Sequence, residues 1–327
     1  MSLTAHIATA IEVDILLATY NGADYIIQQL ESIDKQETNF SFRVIVSDDG
    51  SKDDTIRIVK EYWHMIGKED QNIIYLNTEK NRGVIKNFEF LLSQSAAKYV
   101  MFSDQDDVWL PTKVEVSIQK LRELETTHPD LPILVHTDRY VVTRDLEILN
   151  SSMLKELNAT EDFSLHQGLL ANVVAGCTMA FNRRLADLSL PFPPVIYMHD
   201  WWIFLVAKCY GLSYCLNEST LLYRQHGGNT LGADGKSRSV SAILRRTRIF
   251  FSRNNMNDLY RVCFSQAQHL YEMEYKGGDT NQKNMQTLKN FVRAKDYKNW
   301  KLKFHVFRFN YLPRGYISKL AVLISLK

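Results

Sequence analysis

The sequence predicts an α/β protein built on a mixed, mainly parallel sheet flanked by helices. Three observations lead there. Strand-like and helix-like segments alternate through the first half of the chain. The strand-like segments are short, continuous apolar runs. Polar clusters follow three of those runs. A basic helical extension completes the outline at the C-terminus.

The elements follow in order. "VDILLATY" (13–20) has the pattern of a buried strand. "DYIIQQLESI" (24–33) puts Tyr25, Ile26, Gln29, Leu30 and Ile33 on about one helical face. "FRVIVSD" (42–48) is a second strand and "DDTIRIVKEYWHMI" (53–66) a second helix. "NIIYLN" (72–77) is a third strand, "GVIKNFEFLLSQS" (83–95) a helix and "KYVMFSD" (98–104) a strand. "PTKVEVSIQKLRELE" (111–125) reads as a helix with Pro111 in its first turn.

The middle is less regular. "ILVHTDRYVVT" (133–143) and "AGCTMAFN" (175–182) read as strands, and "HDWWIFLVAKCYG" (199–211) as a helix closed by Gly211. "SYCLNESTLLYRQH" (213–226) is one or two strands, and the glycine-rich "GGNTLGADG" (227–235) is loop. The domain boundary is expected near 236, giving a main domain over 1–235 and a basic helical region over 236–327. No internal repeat is evident.

The 327 residues, 45% hydrophobic, suit one large globular domain or two smaller ones. The net charge of +2 conceals a split: residues 236–327 carry 19 Lys+Arg against 5 Asp+Glu, and residues 1–235 carry 20 against 32. Cys177, Cys209, Cys215 and Cys263 lack metal-binding spacing and read as buried thiols of a reducing compartment. No secretory signal is visible, and no run reaches the roughly 18 apolar residues that span a bilayer. A cytoplasmic protein is expected.

In parallel sheets, ligands bind beyond the carboxyl ends of the strands. "ATYNG" (18–22), "SDDGS" (47–51) and "SDQDD" (103–107) all fall there, so three distant clusters converge on one edge. Asp48, Asp49, Gly50 and Ser51 suit a turn that caps a helix, with Gly50 allowing the tight bend. They equally suit the floor of a nucleotide site, where one carboxylate accepts from a base N–H. Asp104, Asp106 and Asp107 are harder to explain by capping, which uses one carboxylate. Three like charges raise one another's pKa unless a cation intervenes, and oxygen ligands suit Mg²⁺ or Mn²⁺.

The ordered set "DILLATYNGADYIIQQLESI", "VIVSDDGSKDDT", "NRGVIKNF", "YVMFSDQDDVWLPTK" and "HDWW" resembles the family-2 glycosyltransferases, which have the GT-A fold. The resemblance covers residues 12–232; each motif is weak alone and the ordered set is specific. It implies a nucleotide-sugar donor whose diphosphate is held by a metal at a D-x-D element. By position, Asp106 is the metal ligand, Asp104 faces the ribose or the metal, and Asp49 binds the pyrimidine. Thr19, Tyr20 and Asn21 line the nucleotide pocket. The acidic residue that serves as general base at the head of a later helix corresponds to Asp200. His199 departs from the commoner Glu, which leaves its role open.

Trp201 could stack on a sugar, whereas Trp202 is as well suited to the core. In "YRQHGGN" (223–229), Arg224 and His226 are candidates for binding the metal-diphosphate. Arg82 is a candidate for the diphosphate or base pocket, or a solvated helix start. The loop 227–235 suits a lid.

The wording "FSDQDDVW … HDWW … YRQHGGNT" is similar to that of bacterial rhamnosyltransferases of capsule and O-antigen assembly. It implies an inverting transferase, with dTDP-rhamnose as first expectation and UDP-galactose, UDP-glucose or an N-acetylated UDP-sugar as alternatives. The acceptor is expected to be a lipid-linked saccharide. "ILRRTRIFFSR" (243–253) and the segment 297–326 interleave basic, aromatic and aliphatic residues. That pattern fits either an amphipathic helix at the inner face of an anionic membrane or a cap on the catalytic domain. No nucleic-acid-binding module is recognisable. A dehydrogenase would need G-x-G-x-x-G after the first strand, and a nucleotidyltransferase a glycine-rich loop there; only Gly22 is present. A non-catalytic sugar- or lipid-binding module is the rival of another class.

Overall fold

The computed structural model describes residues 11–156, 163–226, 253–273 and 282–294. The glycine-rich loop 227–235, the expected boundary at 236 and most of the basic tail lie outside the described residues. The strands are β1 (Val13–Thr19), β2 (Phe42–Asp48), β3 (Ile73–Leu76), β4 (Tyr99–Ser103), β5 (Val108–Trp109), β6 (Ile133–Val142), β7 (Ile148–Asn150), β8 (Met179–Asn182) and β9 (Leu212–Arg224). They form one nine-stranded sheet in the order β3-β2-β1-β4-β8-β6-β9-β5, with β7 beside β6.

β3, β2, β1 and β4 are mutually parallel, as are β6 and β9; β8 runs antiparallel between β4 and β6. The sheet is therefore mixed and mainly parallel, as the alternation of segments predicted. Residues alternate faithfully along the central strands. Val13, Ile15 and Leu17 of β1, with Tyr99 and Met101 of β4, enter the core on one face. Leu16, Val100 and Phe102 enter the core on the other.

The first of these faces is covered by α1 (Ile26–Asp34), α2 (Thr55–Met65) and α4 (Lys113–Thr127). The second is covered by α3 (Val84–Gln94), α7 (Arg183–Ser189) and α8 (His199–Tyr210). Two short helices, α5 (Met153–Glu156) and α6 (Leu165–Gly168), connect β7 to β8; Ser164 and Gln167 form a capping box on α6. Every residue of α8 except Lys208 is buried, so the helix has no solvent face. Its outer side is covered by α9 (Arg253–Glu272) and α10 (Gln282–Arg293). Cys263, Ala267 and Leu270 of α9 and Leu288 and Phe291 of α10 belong to the same core as α8. Polar seams fix the contact: Asn284 Nδ2 donates to Lys208 O at 2.7 Å, and Tyr197 N donates to Gln266 Oε1 at 2.9 Å. The described helices of the basic region therefore complete the main core.

Several local expectations are corrected. Pro111 precedes the N-cap residue Thr112 and lies outside α4. Segment 175–182 is a 3₁₀ turn (Gly176–Thr178) leading into the short β8, because Ala175 O captures the Thr178 N–H and hydroxyl. Segment 213–226 is the single long strand β9, which keeps pairing with β6 across two register shifts. All four cysteines are buried thiols.

Asp14 is fully buried near the start of β1 and ties three elements together. Its carboxylate accepts from Arg43 Nε (2.7 Å), Ser95 Oγ (2.7 Å) and the N–H groups of Ala96 (3.1 Å) and Ala97 (3.0 Å). Burial raises its pKa, but these hydrogen bonds outweigh burial and hold it below the ordinary carboxylate value. Its contribution is present above the ordinary carboxylate pKa and is lost as pH falls through the lowered folded value. Asp14→Ala is expected to cost about 3–5 kcal/mol in chemical denaturation at neutral pH, because it strands buried donors.

Candidate active site

The carboxyl ends of β1, β2, β3 and β4 lie side by side, with Thr19 opposite Asp48, Asp48 opposite Leu76 and Leu17 opposite Ser103. The three predicted polar clusters share this edge. At the first two, polar side chains mainly build the loops. The Asp48 carboxylate accepts from Thr19 Oγ1 (2.9 Å), Ser51 Oγ (2.5 Å) and the N–H groups of Gly50 (3.2 Å) and Ser51 (2.8 Å). Gly50 has φ of 84°, the left-handed conformation that this turn requires. Asp49 Oδ1 accepts from Asn77 Nδ2 and Arg82 N, and its Oδ2 from Gly83 N, each at 2.8 Å. A carboxylate offers about four acceptor positions, so one remains on Oδ2 for a base N–H.

Thr19 is corrected: its buried hydroxyl is given to Asp48 and does not line a pocket. Tyr20 and Asn21 are exposed at the rim. The backbone N–H and C=O of Tyr20 are clamped by the Gln105 amide at 2.9 and 3.0 Å, which joins the first cluster to the third. Asn21 exchanges hydrogen bonds with Ser51 Oγ and Lys52 N, each at 2.8 Å. Arg82 serves Asp49 through its main chain, while its guanidinium lies 4.4 Å over the Phe90 ring.

The acidic cluster is crowded. Asp104 is pushed up to about 7, chiefly by burial, then by the charges of Asp106 and Asp200. Asp107 is raised further by burial and by Asp106 and Asp104. Asp107 Oδ1 accepts from Arg224 N at 3.2 Å, but its Oδ2 is buried with no hydrogen-bond partner. Asp106 Oδ2 lies 2.7 Å from His226 Nε2, and the His226 ring stacks on Tyr25 with centroids 4.5 Å apart. Asp104, Asp107 and Cys177 bring ligand-type atoms within 4.8 Å of one another. Burial and the neighbouring carboxylates raise the Cys177 thiol, so it stays protonated and soft. An orphaned carboxylate oxygen amid mutually repelling acids, with an imidazole in reach, fits a hard divalent cation. Asp104 and Asp107 would supply carboxylate ligands there, and Asp106, paired with His226, lies on the same acidic loop.

Asp200 approaches this cluster through the turn 176–178: its Oδ2 accepts from Gly176 N, next to Cys177, which lies beside Asp104 and Asp107. It occupies the first turn of α8, one residue beyond His199, and Met198 is the N-cap. Its Oδ1 accepts from Asn172 Nδ2 (3.1 Å) and Trp201 N (2.5 Å), and its Oδ2 from Gly176 N (3.1 Å). Burial pushes it up to about 6, against these N–H donors and the Arg139 charge. The turn 176–178 is thus the bridge. Gly176 holds Asp200, and the adjacent Cys177 meets Asp104 and Asp107. A Cβ at Gly176 would lie 2.8 Å from His199 Nε2, so only glycine fits there.

Three candidates are corrected. His199 is buried, stacked on Phe88 (centroids 4.0 Å) and edge-on to Phe102 (5.3 Å); this apolar box pushes it down to about 3 and keeps it neutral. Trp201 is a core residue, 3% exposed, whose indole N–H donates to Gly168 O at 2.6 Å, so no sugar can stack on it. Arg224 is also buried, and its guanidinium is consumed by Asp106 O (2.8 Å), Arg144 O and Gln28 Oε1 (2.6 Å). It fastens the acidic loop rather than reaching a diphosphate. Sequence reasoning missed Gln105, Gly176, Cys177 and Arg139. An arginine inside the otherwise apolar run "RYVV" was the one available signal.

Comparison with known proteins identifies the family and the fold. The chain is 26% identical over 230 residues to the dTDP-rhamnosyl transferase RfbG of Shigella flexneri, covering 67% of this chain and 74% of that one. It spans only 58% of the length of an uncharacterised Mycobacterium tuberculosis protein that it matches at 26% identity over 215 residues, 65% of this chain. Two solved structures share the fold. S. aureus TarS 1–349 in complex with UDP-GlcNAc has a TM-score of 0.54 at 17% identity, covering 91% of this chain and 80% of that one. The mannosyltransferase PcManGT of Pyrobaculum calidifontis, in complex with GDP-Man and Mn²⁺, has a TM-score of 0.53 at 16% identity, covering 96% and 85%. The description "Glycosyl transferase family 2" matches residues 14–187, more than half of the chain, and the protein is a member of that family.

Proposed function

We propose that the protein is an inverting, metal-dependent glycosyltransferase that moves a sugar, first of all rhamnose from dTDP-rhamnose, to a hydroxyl of a lipid-linked saccharide in cell-surface polysaccharide assembly. The observation that supports the reading is the turn 176–178, which holds Asp200 through Gly176 and meets Asp104 and Asp107 through Cys177. The dTDP-rhamnose donor is supported by the similarity to RfbG. A UDP-hexose or UDP-N-acetylhexosamine is the second reading, favoured by the fold shared with TarS in its UDP-GlcNAc complex.

The chemistry follows from the residues. Asp49 offers its remaining lone pair to the pyrimidine N–H, between the rims formed by Tyr20 and Arg82. Asp104 is assigned to the ribose side, and Asp106 with His226 would hold the cation. A divalent cation there supplies Lewis acidity to the departing diphosphate. Asp200 takes the proton of the acceptor hydroxyl as its oxygen bonds to the anomeric carbon, from the face opposite the breaking C–O bond. The electron pair of that bond leaves with the nucleoside diphosphate. Burial keeps Asp200 basic enough for this role, while the Gly176 and Trp201 N–H groups fix its orientation.

A membrane role rests on the basic tail. No described helix is long and apolar enough to cross a membrane. The excess of 19 Lys+Arg over 5 Asp+Glu after residue 235 suits attraction to an anionic leaflet at the inner face of the cytoplasmic membrane. Such a surface would present the lipid-linked acceptor.

Asp200→Asn is expected to lower turnover by at least about 10²-fold and to leave nucleotide-sugar affinity unchanged in calorimetry. A base must be ionised to accept a proton, so kcat/KM of the wild type rises as pH passes through about 6 and levels off above it. Asp106→Ala removes the thermal shift produced by Mn²⁺ with a nucleoside diphosphate, and His226→Ala weakens the apparent Mn²⁺ affinity by about 10–100-fold. Because α9 and α10 complete the core, the membrane test cuts the chain after residue 294. The full chain should co-sediment with phosphatidylserine vesicles, and the shortened one should remain in the supernatant.

A further inference from the structure

One charged group in the cleft has no part in the mechanism above. Arg139 lies near the carboxyl end of β6, a strand separated from β4 only by the short β8. Its guanidinium sits over the Tyr223 ring, 5.2 Å from the centroid. Its Nε is buried, and among the described residues it has no hydrogen-bond partner. Arg224 differs, since three of its donors are spent on Asp106 O, Arg144 O and Gln28. The positive charge of Arg139 favours the ionised forms of both Asp104 and Asp200. It bonds to neither, and its charge is felt on both sides of the interval between them.

That space has a definite content if the protein transfers sugars as proposed, and the inference rests on that reading. Asp104 marks the nucleotide side and Asp200 the acceptor side; the group in transit occupies the interval. A guanidinium only donates hydrogen bonds, and sugar hydroxyls accept them. Its planar fork spans two neighbouring oxygens, which an ammonium cannot do. A buried donor left without a partner is costly, so a ligand that satisfies it gains discrimination over one that does not.

We propose that Arg139 is a specificity-determining residue of the donor subsite, its guanidinium donating to hydroxyls of the transferred sugar while Tyr223 supports the plane. The test compares full-length wild type, Arg139→Gln and Arg139→Lys by calorimetry with Mn²⁺ present. The probes are dTDP-rhamnose, UDP-glucose, UDP-galactose and UDP-GlcNAc, each set against dTDP or UDP alone. For the sugar nucleotide that the wild type prefers, Arg139→Gln should lose about 10–100-fold in affinity. Affinity for the bare nucleoside diphosphate should stay unchanged. Arg139→Lys should fall between, since it keeps the charge without the fork, and it carries the test should the glutamine variant fail to fold. Equal losses for the sugar nucleotide and the bare diphosphate would put Arg139 on the phosphates and overturn the proposal, as would no loss at all. A wild type that binds none of the sugar nucleotides would remove the glycosyl-transfer reading, and this inference with it.

Discussion

Crowding of negative charge where a buried strand ends is the constraint on which the remaining structure depends. Asp104, Asp106 and Asp107 follow β4 directly, and Asp200 arrives from α8. Burial disfavours the ionised forms of Asp104, Asp107 and Asp200, and neighbouring carboxylate charge adds to the difficulty of Asp104 and Asp107. The surrounding groups answer this charge. Arg224 grips the backbone of the acidic loop, and Gly176 and Trp201 give N–H bonds to Asp200. Lys113 is wholly buried beneath, 4.9 Å over Trp109, and burial pulls it down to about 8. The arrangement is short of positive charge in a way that a bound cation would relieve.

Much of this was legible in the chain because it depends on local pattern. Continuous apolar runs marked the central strands, and a polar cluster after each run marked the ligand edge. The Gly50 turn could be read from composition, since the bend needs a positive φ. The parts that could not be read depend on which strands become neighbours. Cys177 meets Asp104 and Asp107 only because β8 inserts between β4 and β6, and the same adjacency brings the strand that carries Arg139 near β4. No spacing in the sequence encodes that insertion.

A second group of differences concerns direction. "HDWW" carries the expected acid, yet its neighbours turn inward because α8 is buried on all sides. His199 joins Phe88 and Phe102, and both tryptophans give their N–H groups to backbone carbonyls, Gly168 and Ser189. Thr19 and Arg224 show the same economy, with polar side chains used to hold loops in place. Motif letters identify which residues stand near a site. Hydrogen-bond satisfaction decides which of them remain available to a substrate.

The enclosure of α8 has a consequence for how this protein tolerates change. Asp200, the proposed base, is mounted on a rod gripped from behind by α9 and α10, through Leu270, Phe264, Asn284 and Gln266. Substitutions on that rear clamp, remote from any sugar, would be transmitted to the proton acceptor as small displacements. Drift in the outermost helices is therefore coupled to reactivity, whereas the nucleotide half of the cleft, anchored by β1, β2 and β3, is insulated from it.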